Sequence, residues 1–78
     1  MKNMPSPNTT TGTIYRYIFE LLEKNPEGLR WVELNTLVEK EFPHFHPKTI
    51  NGCVWKLIQL FPDKVHKPKK GVFQLIKQ

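Results

Sequence analysis

The chain has 78 residues, with twelve lysines and arginines against seven acidic residues, a formal net charge of +5 and a single cysteine. That length allows one domain with a real but marginal core, because a chain this short buries only about 60% of its unfolded surface. One thiol, Cys53, excludes an internal disulfide and a Cys-x2-Cys metal motif, and nothing approaches the ~20 apolar residues of a membrane span. Lys2 is followed by no apolar core of a secretory signal, so the composition points to a cytoplasmic setting. The placement of charge matters more than its sum. Residues 1–43 hold five cations against six glutamates, whereas residues 44–78 hold seven lysines against Asp63 alone. Such asymmetry predicts an anionic partner for the C-terminal part; lysines that merely keep a small domain soluble are the plainer reading.

Residues 1–12, rich in Pro, Ser, Thr and Asn, read as a disordered leader, and residues 13–78 as the folded domain. The first periodic segment places Ile14, Tyr17, Ile18 and Leu21 at helical spacing, predicting a helix over about 13–25 capped by Thr11 or Thr13. Asn-Pro-Glu-Gly ends it, since Pro26 cannot continue the ladder and Gly28 suits a turn. Leu29 and Arg30 then form a candidate for a very short strand. Leu34, Leu37, Val38 and Phe42 make the stripe of a second helix over 31–42, stopped by Pro43, with Trp31 assigned to the core. Pro47 opens a third helix, 47–60, burying Ile50, Cys53, Val54 and Leu57. Its opposite face carries Lys48, Gly52, Trp55 and Gln59, bordered by Asn51 and Lys56, at ~100° per residue. Two short strands around Pro-Lys-Lys-Gly close the chain as a hairpin, with Phe73 and Leu75 on one face and Val72, Gln74 and Ile76 on the other. A lone hairpin is rarely stable, so it must pack on the helices.

Three stretches carry a resemblance: Gly28-Leu29-Arg30 before the second helix, the link PHFH into PKTINGCVWKL, and the hairpin KVHKPKKGVFQL. In that order they resemble the winged helix-turn-helix superfamily across nearly the whole of the expected domain. The resemblance implies an α+β, mainly α fold: a three-helix winged-helix domain with a C-terminal two-stranded β-hairpin wing. It also implies that the third helix reads the major groove of double-stranded DNA and that the hairpin, about 64–77, reaches phosphate or the minor groove. The matching positions are Lys48, Thr49, Asn51, Gly52, Trp55 and Lys56 on the helix and Lys67, Lys69 and Lys70 at the tip. Two residues depart from the usual pattern. Trp55 stands where polar readers are more common, and Gly52 supplies no reading side chain.

The chemistry of these residues allows the same assignment and a plainer one. Lysines 67, 69 and 70 on a tight turn present ammonium groups together for phosphate neutralisation, or simply guard a strand edge against pairing. Asn51 can pair with an adenine edge, a lysine with guanine, and Thr49 with phosphate or a thymine methyl; the alternative is a solvated helix face. Trp55 either folds back over Val72 or Ile76 or marks a surface for a protein or an unpaired base. Tyr15 and Phe19 either support a dimer through the first helix or pack locally, leaving a monomer or weak homodimer. His44, His46 and His66 offer no fixed third ligand, so no metal or cofactor is expected. Nothing assembles a nucleophile, a base and an oxyanion site, so no enzyme is expected either. The expectation is a small transcription-regulating, cytoplasmic or nucleoid-associated DNA-binding module. A protein-interaction module using the third-helix and Trp55 surface is the alternative, and the C-terminal lysines are expected to gather on one side.

Overall fold

The computed structural model describes residues 9–76. Most of the expected leader, residues 1–8, and Lys77 of the expected wing lie outside them. Helix α1 (Thr10–Lys24) takes in the last residues assigned to the leader. Its cap is Thr9 rather than Thr11 or Thr13: the Thr9 hydroxyl accepts from the Gly12 N–H at 2.9 Å and draws the polar Thr-Thr-Gly-Thr stretch into the first turn. Ile14, Ile18 and Leu22 run fully buried along its inner face. Asn25 ends the helix, its side chain donating to the Leu21 carbonyl at 2.8 Å, and its own carbonyl accepts from Gly28 N–H at 2.8 Å. Asn, Pro and Gly thus occupy the positions that a type I turn favours.

Gly28 sits at φ +98, and an added Cβ would lie 2.8 Å from the Phe73 carbonyl oxygen. Only glycine meets both demands: left-handed backbone and close approach to a neighbouring strand. The approach delivers strand β1 (Leu29–Arg30) onto the C-terminal hairpin. Helix α2 (Trp31–Glu41) follows at once, with the Glu33 carboxylate accepting from Arg30 N–H at 2.9 Å. This is half a capping box, because a guanidinium has no acceptor to return the bond. Helix α3 (Pro47–Trp55) starts with His46 as cap, its Nδ1 accepting from Lys48 N–H at 3.0 Å, and with Pro47 in the first turn.

The third helix does not run to residue 60. Lys56, at φ −87 and ψ 0, ends α3 and begins a separate turn of helix, α4 (Leu57–Leu60). Leu57 is fully buried and Leu60 half exposed. Strands β2 (Val65–Lys69) and β3 (Val72–Leu75) form the hairpin, and the antiparallel sheet has the order β1-β3-β2. Lys67 and Pro68 together oppose Phe73, between the pairs His66–Gln74 and Lys69–Val72, so β2 carries a bulge where proline lacks a donor. Val65, Phe73 and Leu29 face the helices and are buried; Arg30, Val72 and Lys69 form a row across the other face. Lys70 and Gly71 make the tip, with Gly71 at φ +77. The molecule is therefore a mainly helical α+β domain whose core lies between three helices and the inner face of a small sheet.

Candidate nucleic-acid interface

The buried residues Ile50, Cys53, Val54 and Leu57 fix how α3 is rolled. At ~100° per residue, its outer face then reads Asn51, Trp55, Lys48, Gly52, Lys56 and Thr49 from the α2 side to the α1 side. No carboxylate falls in that sequence. The two borders are already engaged. Asn51 Oδ1 accepts from Asn35 Nδ2 of α2 at 2.9 Å, so one arm of a bidentate adenine contact is occupied, and Asn35 Oδ1 is buried without a partner. On the other border, Lys48, Thr49, Gly52 and Lys56 line a groove with Thr11 and Tyr15 of α1. Gly52 would meet nothing within 4 Å of an added Cβ, which makes it the open point of that groove.

The groove floor is a Tyr15–Cys53 pair. Tyr15 is only 5% exposed, is hydrogen-bonded to Cys53 and packs edge-on against Phe61 at 5.2 Å, where Phe19 also packs, at 5.0 Å. Tyr15 and Phe19 thus pack locally. Burial, followed by the neighbouring Cys53, pushes the Tyr15 hydroxyl up; burial also pushes the Cys53 thiol up, against the opposing pull of the Tyr15 hydrogen bond. Above the ordinary values of 9.0 for the thiol and 10.0 for the phenol, the unfolded chain sheds these protons while the folded one keeps them. The folded state then binds more protons, so stability is full below that window and falls as pH rises through it. The urea midpoint should therefore decline from neutral to strongly alkaline pH, and Tyr15→Phe should flatten the most alkaline part of the decline.

Trp55 does not fold over Val72 or Ile76. It is 51% exposed and lies against Trp31, with ring centroids 5.3 Å apart and planes tilted by 36°. Trp31 is correspondingly not a buried core residue but a half-buried wedge. Its backbone N–H donates to the Gly71 carbonyl at 2.9 Å, and a Cβ on Gly71 would sit 3.6 Å from its Cδ1. One residue thereby ties the hairpin tip to α3.

Beside it, Arg30, Trp31, Val32, Lys69, Lys70 and Gly71 line a second cleft. The tip lysines divide here. Lys69 and Lys70 join the cleft, whereas Lys67, exposed beside the bulge, has its Nζ 5.7 Å from the Phe73 ring centroid. Of the described C-terminal lysines, Lys48 and Lys56 line one cleft and Lys69 and Lys70 the other, with the tryptophan pair between them, while Lys64 and Lys67 line neither. Arg30 is the residue that sequence reasoning missed. Its signal is positional: a cation on a two-residue strand lands in the same cross-sheet row as Lys69.

The histidines serve structure. His46 caps α3, and His44 packs on Phe45 at 4.4 Å. Gln74 donates to the Pro26 carbonyl at 2.7 Å, which turns its Oε1 to His66 at 2.8 Å and makes His66 Nε2 the donor. Among the described residues no three His, Cys, Asp or Glu side chains are placed to hold a metal ion, and no helix is long and apolar enough to cross a membrane. Comparison with protein-family models, curated proteins and solved structures finds no match in any of the three.

Proposed function

We propose that this chain is a winged-helix nucleic-acid-binding module that takes double-stranded DNA on α3 and the β2–β3 hairpin. The element order, with a minimal β1 completing a sheet of order β1-β3-β2, supports the winged-helix reading. The observation that carries the function is the run of cations without carboxylates, from Lys48 and Lys56 on α3 to Arg30, Lys69 and Lys70 around the tip, joined by the Trp55–Trp31 contact. Lys48 and Lys56 would meet phosphates flanking the groove that receives α3, Gly52 would allow a backbone to come close, and Arg30, Lys69 and Lys70 would hold a second stretch of phosphates.

With about four to six phosphates neutralised, the affinity for random blunt duplex should fall with salt at a log–log slope of roughly −4 to −5. Replacing Arg30, Lys69 and Lys70 together with alanine should flatten that slope by about 0.9 for each phosphate no longer neutralised. Fluorescence anisotropy at two salt concentrations measures both. Absence of binding to blunt duplex at low salt sinks the reading. A protein partner is the second reading, favoured by the half-exposed Val32, Trp55 and Leu60. It gains only if duplex binding is absent.

A further inference from the structure

We infer that the Trp55–Trp31 pair and the adjoining Arg30–Lys69–Lys70 cleft form a site for an unpaired nucleotide, its base stacked on the exposed indole of Trp55 and its phosphate held in the cleft. The inference rests on the nucleic-acid reading above, but it names a different substrate: a single-stranded end or flap beside a duplex rather than the duplex itself.

Trp55 is a large ring, half exposed on a face otherwise made of small and polar groups. Trp31 lies against it with the planes tilted by 36°, and about half of the Trp55 surface stays exposed. The interior of a duplex offers such a ring little, because its bases are stacked on both faces. An unpaired base offers a free π-face, and base–aromatic stacking tolerates any sequence. The platform is also already rigid. Trp31 is tied through its backbone N–H to Gly71 and is packed against that glycine, so little freedom remains to be lost on binding.

Charge selects the ligand class. The cleft beside Trp31 is lined by Arg30, Lys69 and Lys70 and by no carboxylate. Glu33, the acidic residue nearest in sequence, is held on the Arg30 N–H. Three cations beside an aromatic platform match a phosphate adjoining a base, whereas an acidic peptide would leave the indole face unused. Gly71 serves the same purpose. Its positive φ makes the tight turn that brings Lys69 and Lys70 beside Trp31.

The test titrates three labelled DNAs at low salt: a blunt duplex, the same duplex with a short single-stranded overhang, and the single strand alone. The overhang duplex is expected to bind about ten-fold more tightly than the blunt one, which is the scale that one stacked base carries. Tryptophan fluorescence should be quenched more strongly by the overhang and the single strand than by the blunt duplex. Trp55→Ala should erase the overhang's advantage over the blunt duplex, read as the ratio of the two affinities, and Trp55→Phe should restore part of it; thermal melts establish that both variants fold. Equal affinity for blunt and overhang duplexes, unchanged by Trp55→Ala, overturns the inference and leaves the duplex reading standing. Binding of the overhang and single strand without the blunt duplex does the reverse. No binding in any arm overturns both.

Discussion

Gly28→Ala should destabilise the domain by about 2–5 kcal/mol, the largest loss expected from adding a single methyl group anywhere in the chain. Two costs combine. Alanine at φ +98 leaves the allowed region for an L-residue, at roughly 1–2 kcal/mol. Its Cβ would also sit 2.8 Å from the Phe73 carbonyl oxygen, a backbone atom of the central strand, and 3.1 Å from Val72 Cγ1. The strand cannot yield without disturbing its pairs on both sides, so overpacking adds about 1–3 kcal/mol. A domain of this size has only about 4–12 kcal/mol in total, and the melting temperature should drop by about 8–40 °C. Gly52→Ala is the internal contrast. With nothing within 4 Å, it should gain up to ~1 kcal/mol of helix propensity and raise the melting temperature. A Gly28→Ala protein melting within a few degrees of the parent would contradict the close approach of the α1–β1 turn to β3.

Phe73→Ala should be equally severe for the opposite reason, removal rather than insertion. Phe73 is 1% exposed, sits opposite Leu29 in the middle strand and packs into the helices' shared core. Truncating a buried phenylalanine costs about 3–5 kcal/mol through lost transfer energy and the residual cavity. Lys67 also loses the ring beneath its ammonium, worth about 0.5–1 kcal/mol at an exposed site. The variant should be largely unfolded at 37 °C, as judged by loss of helical circular dichroism, whereas Val72→Ala, on the outer face, should remain folded. A Phe73→Ala protein retaining the parent's urea midpoint would show that the sheet does not seal the core.

Much of this architecture is legible in the sequence because each helix declares itself locally. Ile14 and Ile18 keep a helical period, though Tyr15 and Leu22 rather than Tyr17 and Leu21 complete the buried face; Pro43 and Pro47 bracket the α2–α3 link, and Pro-Lys-Lys-Gly between alternating runs marks the hairpin. Where local signals lapse, boundaries shift. The first turn of α1 is all polar, so periodicity cannot detect it, and only the Thr9 cap defines it. No proline or glycine marks the break at Lys56, so nothing in the local sequence signals it. The candidate site is legible by residue type but not by grouping. Trp31 and Trp55 are 24 positions apart, and their contact exists only once α2 and α3 are packed. Lys67 departs from its neighbours beside a bulge at which the proline in β2 hints.

The same bulge bears on how these molecules behave in a crowd. Strand β2 is an outer strand of the sheet, a ready template for intermolecular polymerisation. Pro68 removes a donor from that template, the kink spoils its repeat, and the neighbouring ammonium groups repel an approaching copy. The exposed tip is thereby guarded against strand-to-strand pairing between copies of the chain.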